Sequence, residues 1–359
     1  MVRQTVIVLS CLVLLLGTIG TRIVPAYDDD LVPRSLAAIS GDRPVAASAK
    51  ADGKETTPPA TPGTGSRSDA TLLLVSAAAT EAAVAAAETS PAERLAARGA
   101  VLKPSVEKPA AMEAGSAKLT DDDLTLVAQL KGLKSVKLTG CTVSAAGVKR
   151  LAVLESLKVL GLDNTAADDA VLEVAGTMDN LEELLLTGTK ITDGGLKHLA
   201  GLKKLKRLRI SDTEVGNEGL KALAPLASLA DLDLSKTQVT AAGIKELTAL
   251  PALAKLNLYS TQVSDAAAAD LAKLTKLKWL NLDATAVTAA ALPPLAALSD
   301  LEFLHLGRTA VTDAGVDSLG KLKKLKEIHV TRTKITPTGA ARLRALLPGC
   351  TVRDVVETP

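Results

Sequence analysis

Residue types suited to molecular recognition concentrate in one stretch of the sequence, residues 257–329. Residues of similar type recur there 24 positions apart, as the aromatic residues Trp279 and Phe303 do. Aromatic anchors ringed by polar groups dominate the energy of many binding sites. We therefore predict a ligand-binding surface, the recognition patch, made of Tyr259, Trp279, Phe303, Asn257, Asn281, Asp283, His305 and His329. The alternative is that aromatic rings merely suit strands and cover neighbouring side chains.

Other kinds of chemistry have weaker support in the sequence. His305 and His329 could bind a metal or respond to pH with Asp283 nearby, but two imidazoles without a third fixed ligand make a weak zinc site. The sequence has no Gly-x-Ser-x-Gly motif, no phosphate-binding loop and no His-Glu-x-x-His motif. We expect no metal, no cofactor and no enzymatic activity.

A strict repeat must position the recognition patch. Leucine recurs every 24 residues through nine units without insertion, at Leu133, Leu157, Leu181, Leu205, Leu229, Leu253, Leu277, Leu301 and Leu325. Within each unit, apolar residues first alternate as in a strand and then follow helical spacing. One unit cannot bury its apolar side alone, so stacked units must share a parallel sheet and a continuous core.

Each unit also carries residues suited to the turn between its strand and its helix. The ninth position is Thr in eight units and Cys141 in the first, and a buried hydroxyl there can bond the turn backbone. Three residues later, Ser, Thr or Asp stands where a helix N-cap is expected, with Gly216 as the exception. Recurrent glycines such as Gly195 then indicate a close approach between neighbouring helices.

Units such as residues 181–202 and 301–322 read like LxxLxLxxTxVTDxGLxxLxxL. This pattern resembles the bacterial type of the leucine-rich-repeat family over about 230 residues, although Thr stands where Asn or Cys is usual. The resemblance implies an α/β leucine-rich-repeat solenoid. Its fold is a right-handed horseshoe with parallel strands on the concave face and helices on the convex face. It also implies binding of proteins, peptides or glycans on the concave sheet.

In such a unit, side chains at the third, fifth and seventh positions face the concave side. All eight residues of the recognition patch occupy these positions in the last four units. Closer to the N-terminus, these positions alternate in charge, as in Glu183, Arg207, Asp231 and Lys255, and again in Arg209 and Asp233. Opposite charges on neighbouring strands are expected to pair and stabilise the sheet rather than bind a ligand.

Composition narrows the class of partner. The formal net charge is +2, so no global field favours nucleic acid, and lysines before the strands are expected to serve solubility. Only 1% of residues are aromatic, so aliphatic side chains must fill the core. Three cysteines, Cys11, Cys141 and Cys350, are too scattered for a disulfide framework.

The N-terminal third reads differently from the repeats. An apolar run at residues 6–19 follows Arg3, which predicts a signal peptide or signal anchor over residues 1–26, with cleavage after Ala26 favoured. Residues 27–118 are rich in Ala, Pro and Thr and predict a mostly disordered linker, with transient helix over 69–98 broken at Pro91. The repeat domain is expected over 119–350, as an N-terminal half repeat plus nine repeats, with a C-terminal tail at 351–359.

These features predict an exported interaction module that binds a protein or peptide on its concave face. Two alternatives remain open: a structural or adhesive envelope spacer, and a glycan-binding module that uses the same rings. The chain is expected to be secreted, periplasmic or envelope-anchored. Membrane contact is expected only through an uncleaved N-terminal segment.

Overall fold

The computed structural model describes residues 89–115 and 118–354. The strands in this part of the chain are Val101–Lys103 (β1), Ala111–Glu113 (β2), Ser135–Lys137 (β3), Val159–Gly161 (β4), Glu183–Leu185 (β5), Arg207–Arg209 (β6), Asp231–Asp233 (β7), Lys255–Asn257 (β8), Trp279–Asn281 (β9), Phe303–His305 (β10), Glu327–His329 (β11) and Thr351–Arg353 (β12). The α-helices are Pro91–Ala97 (α1), Asp123–Val127 (α2), Ala145–Arg150 (α3), Asp169–Ala175 (α4), Asp193–Leu196 (α5), Asn217–Leu220 (α6), Ala241–Leu247 (α7), Ala268–Leu271 (α8), Leu292–Leu295 (α9), Val316–Leu319 (α10) and Pro337–Leu346 (α11). Short 3₁₀ turns adjoin six of these helices.

All twelve described strands form one sheet in chain order. From β2 onward each strand runs parallel to the next, and paired residues lie 24 positions apart, as Leu256 and Leu280 do. Leu256, Leu258 and Leu280 are fully buried between the sheet and the helices. Each such leucine contributes about 1.5–3 kcal/mol by leaving water. The predicted α/β leucine-rich-repeat solenoid, with its continuous aliphatic core, is confirmed.

The turn after each strand is locked by the predicted threonine. Thr237 Oγ1 donates to the Leu234 carbonyl oxygen at 2.6 Å, and the other seven threonines make the same bond. In the first unit Cys141 Sγ instead contacts the Ala114 carbonyl oxygen at 3.3 Å. The residue before each threonine has a left-handed backbone, with φ of 51–55° at Asn164, Asp212, Lys236, Ser260, Ala284, Arg308 and Arg332 and 67° at Gly188. The hydroxyl bond helps hold this otherwise unfavourable conformation.

The residues at the start of the helices cap them and also make hydrogen bonds between neighbouring units. Six of the eight predicted caps accept a backbone N–H, whereas Ser264 and Thr312 form no such bond. A further bond, which the sequence did not suggest, runs between units: Thr192 donates through its N–H and its hydroxyl to Asp169, at 2.9 and 2.6 Å. A Cβ at Gly195 would lie 2.4 Å from Asp169 Oδ1, so the predicted close approach is confirmed there.

The sheet begins before the expected start of the repeats at residue 119. Helix α1 starts at Pro91 behind the N-cap Ser90, so this proline begins a helix rather than breaking one, because its missing N–H costs nothing at that position. Strands β1 and β2 form an antiparallel pair, and β2 extends the parallel register to β3. Leu95 and Met112 are fully buried at the N-terminal end of the core. These elements cover apolar surface that the first repeat would otherwise expose.

Strand β12 lies in the expected tail and pairs with β11. The predicted signal segment, residues 1–26, and residues 27–88 of the predicted linker lie outside the described residues. Cys141 and Cys350 are free thiols. Within residues 89–115 and 118–354, no helix combines the length and the apolar character needed to cross a bilayer.

Candidate recognition surface

The structure brings the eight predicted patch residues onto four neighbouring strands, β8 to β11, and the turns that follow them. The sheet register sets Trp279 beside Phe303, Asn257 beside Asn281, and His305 beside His329. Asp283 is buried, with 4% exposure, whereas the other seven residues are half-buried. The rings are therefore less exposed than the sequence suggested, because in-register neighbours cover one another.

The two central rings form a stack across β9 and β10. The Trp279 and Phe303 ring centroids are 4.9 Å apart, and the planes differ by only 5°. Lys255 Nζ lies 4.7 Å from the Trp279 centroid, and it reaches the opposite ring face because β8 and β10 flank β9 on opposite sides. On the far side of Phe303 the His329 ring follows at 5.3 Å, tilted by 51°. Both faces of the central rings thus meet protein groups, which leaves ring edges for a ligand.

Towards the N-terminus, the third-position side chains continue from these rings as the predicted row of alternating charges. We call this row, Glu183, Arg207, Asp231 and Lys255, the charge ladder. Arg207 bridges Glu183 and Asp231 at 2.9 Å on each side, and Lys255 Nζ lies 4.0 Å from Asp231. These ion pairs confirm the expectation for this row. The expectation that Arg209 pairs with Asp233 was wrong, because in the described chain no ion pair joins them. Asp233 instead accepts from the Ser235 N–H and hydroxyl, which lie two residues away on the same turn.

The fifth-position side chains of four units share one hydrogen-bonding role. Asp233, Asn257, Asn281 and His305 each accept the backbone N–H of the residue two positions on, at 3.0, 3.1, 2.8 and 3.3 Å. An asparagine that accepts through Oδ1 must direct its Nδ2 donors elsewhere. Neither Nδ2 group of Asn257 or Asn281 bonds the described protein, and no buried polar atom there lacks a partner, so these donors face solvent. His305 must leave Nδ1 unprotonated to accept from Gly307.

A part-buried ion pair joins the buried Asp283 of the patch to the exposed Arg308. Arg308 binds the Asp283 carboxylate through Nε, at 3.0 Å, and through Nη2. The hydrogen bond that Arg308 donates to Asp283 is the main cause that raises the pKa of Arg308 above its ordinary value. The guanidinium also lies over the Tyr259 ring, 5.1 Å from its centroid. Sequence reasoning missed Arg308 because it considered only the third, fifth and seventh positions, and Arg308 occupies the eighth.

Two histidines close the C-terminal end of the patch. The His305 and His329 rings stack with centroids 4.4 Å apart. His329 Nε2 lies 2.9 Å from Glu327 Oε1, which also accepts from Arg353 Nε at 2.6 Å. Burial alone would raise the pKa of Glu327, but the bonds from Arg353 and His329 outweigh it and lower that pKa. Glu327 occupies the third, concave position of the last unit but was not predicted in the patch, and Arg353 was missed because it lies in the expected tail.

Metal binding has no further support from the geometry. His305 Nδ1 and Asp283 Oδ1 lie 3.8 Å apart, but Arg308 already occupies the carboxylate. Across residues 89–115 and 118–354, no group of three His, Cys, Asp or Glu side chains is arranged to hold a metal ion. The arrangement offers aromatic edges, amide donors and cations, which suit binding.

Comparisons with known proteins identify the same fold. A family model described as a leucine rich repeat matches residues 201–224. Internalin C2 of Listeria monocytogenes is 26% identical, with a TM-score of 0.45, covering 59% of this chain and 83% of that protein. Internalin inlF of the same organism is 17% identical, with a TM-score of 0.46, covering 75% and 98%. A structure described as a TDR receptor is 15% identical, with a TM-score of 0.50, covering 68% and 42%. No curated protein matches the sequence significantly.

The fold assignment rests on the repeat itself. The family model covers one 24-residue segment, and the strand register repeats that spacing from β2 to β12. At 15% identity, the likeness to the TDR receptor concerns the fold alone. By its matched repeat at residues 201–224 and its parallel-sheet solenoid, this chain has the leucine-rich-repeat fold.

Proposed function

We propose that this chain is an interaction module that binds a protein or peptide through the recognition patch around Trp279. The observation that carries the proposal is the concentration of aromatic and polar side chains on β8 to β11 and the turns that follow them. The three aromatic residues of the repeats, Tyr259, Trp279 and Phe303, all stand there in successive units. Rings set among polar groups are typical anchors of protein interfaces. The role proposed is binding, not catalysis.

The geometry favours a peptide over a glycan. Sugars characteristically stack on a free aromatic face, but Lys255 and Phe303 occupy the two faces of Trp279. Ring edges remain, and they accommodate the apolar side chains and carbonyl oxygens of a polypeptide. A purely structural spacer would need the charge ladder but would not need solvent-facing amide donors at Asn257 and Asn281.

We also propose that the chain is exported and acts outside the cytoplasm, as a secreted, periplasmic or envelope-anchored protein. The support is the apolar run at residues 6–19 behind Arg3. Residues 27–88 would then act as a linker. N-terminal sequencing of the exported protein tests this, since a mature chain beginning at Tyr27 supports cleavage and an intact Met1 supports an anchor.

A capture experiment tests the binding surface. Tyr259, Trp279 and Phe303 are replaced together by Ala in the full chain, and proteins retained from envelope extract are compared with those retained by the parent. Val153→Ala is the matched control, because Val153 is a large apolar residue with 50% exposure outside the recognition patch. We expect the triple variant to lose specific partners and the control to keep them. Retention of every partner by a folded triple variant would refute the proposal.

A further inference from the structure

The hydrogen-bonding groups that the recognition patch turns to solvent are biased towards donors. The side-chain carbonyl oxygens of Asn257 and Asn281 each accept a hydrogen bond from a backbone N–H, which leaves the Nδ2 donors facing outward. On the concave positions of β8 to β11 and their turns, the carboxylates are Asp283 and Glu327, and both are engaged. A ligand must therefore bring the acceptors.

Charge and ring electrostatics point the same way. Lys255 stands at one end of the ring stack with 40% of its side chain exposed, and its ion pair to Asp231 is long, at 4.0 Å. Aromatic edges carry partial positive charge, and it is the edges of Trp279 and Phe303 that remain uncovered. A cation, amide donors and positive ring edges together attract oxygen acceptors with negative charge.

We infer that the recognition patch selects an acidic peptide segment, in which an apolar side chain contacts the Trp279 and Phe303 edges and a carboxylate accepts from Asn257, Asn281 or Lys255. This inference rests on the proposed function. The row from β8 to β11 spans three strand spacings, roughly 14 Å, which about four or five extended residues would cover. A short segment of a protein partner therefore suffices.

The chain itself supplies a mild test substitution. Asp233 takes the same role as Asn281 in an earlier unit, with its Oδ1 accepting the Ser235 N–H. Asn281→Asp should keep that turn bond and the fold, while it replaces the outward donor by an acceptor oxygen with negative charge. Asn257→Asp is the second variant, should the first fold poorly.

The probe is a set of three pools of short synthetic peptides. Each pool carries one Leu or Phe flanked by degenerate positions that are Glu or Asp, Gln or Asn, or Lys or Arg. The immobilised full-length protein is exposed to each pool, and retained peptide is measured. Quenching of Trp279, the single tryptophan of the chain, gives an independent readout in solution.

We expect the acidic pool to be retained best. Lys255→Glu and Asn281→Asp should each lower that retention about tenfold or more, since bonds to charged groups contribute about 1.5–3 kcal/mol. Asn281→Asp should also raise retention of the basic pool. Lys245→Glu is the control, because it makes the same charge change at an exposed position on helix α7 of the preceding unit, and it should leave retention unchanged.

Failure of the inference and failure of the proposed function are distinguishable. Equal retention of the acidic and basic pools, retention of none, or indifference to Asn281→Asp would overturn the acidic specificity. The capture experiment with the triple aromatic variant would still decide whether the patch binds a partner. Peptide retention by that triple variant at the parent level would overturn both.

Discussion

The hydrogen bond from each turn threonine to the carbonyl oxygen three residues earlier can be tested by substitution. In Thr237→Val the side chain keeps its shape but loses the hydroxyl, so the Leu234 carbonyl oxygen loses its bond at 2.6 Å. Thr237 is 6% exposed, so no water readily replaces the hydroxyl. Leaving a buried acceptor without a partner costs about 1–3 kcal/mol. The melting temperature should fall by about 2–4 °C for each kcal/mol lost.

The neighbouring unit supplies an internal comparison. At Thr261 the corresponding carbonyl, that of Leu258, also accepts the Thr261 backbone N–H at 3.3 Å. Thr261→Val leaves that second bond in place, so it should destabilise the protein less than Thr237→Val does. Thr275→Val, at an exposed position in a loop, should change stability by less than about 0.5 kcal/mol.

The assay is equilibrium urea denaturation followed by far-ultraviolet circular dichroism. Repeat arrays can unfold in stages, so two-state behaviour is checked by comparing circular dichroism with Trp279 fluorescence. The expected order of stability loss is Thr237→Val, then Thr261→Val, then Thr275→Val. Equal loss for the first two, or a Thr237→Val protein as stable as the parent, would refute the account of the turn.

Two further predictions concern packing and charge. Gly195→Ala should destabilise the fold by about 1–3 kcal/mol in urea titrations, although helix propensity alone would favour Ala by about 1 kcal/mol. The control Gly115→Ala should be near neutral, because no atom lies within 4 Å of an added Cβ there. A stabilised Gly195→Ala protein would contradict the close approach. Hydrogen bonds from Lys158 and Lys206 lower the pKa of Glu182 to about 2, so its contribution is present above its unfolded pKa near 4.5 and is lost as pH falls towards 2. Glu182→Gln should therefore lose less stability than the parent between pH 5 and pH 2 in urea midpoints, and identical pH profiles would refute the assignment.

The repeat made much of the fold predictable. The 24-residue spacing of leucine sets strand register, core and turn chemistry together, because every unit must place the same side chains against its neighbour. The N-terminal cap was not predictable in the same way. Strands β1 and β2 carry no leucine pattern, and Met112 takes the core position opposite Val136 only through pairing with β3.

The sequence also determined which residues share the recognition patch, since a fixed period fixes which side chains stand side by side. Tertiary structure decided what those residues can offer a ligand. The stacking of Trp279 and Phe303 covers ring faces, and the turn bond at Asn281 directs its amide donors outward. Arg308 and Arg353 joined the site through contacts with carboxylates 25 and 26 residues earlier in the chain. A one-dimensional pattern specifies neighbours, but side-chain conformation and hydrogen-bond direction follow from packing in three dimensions.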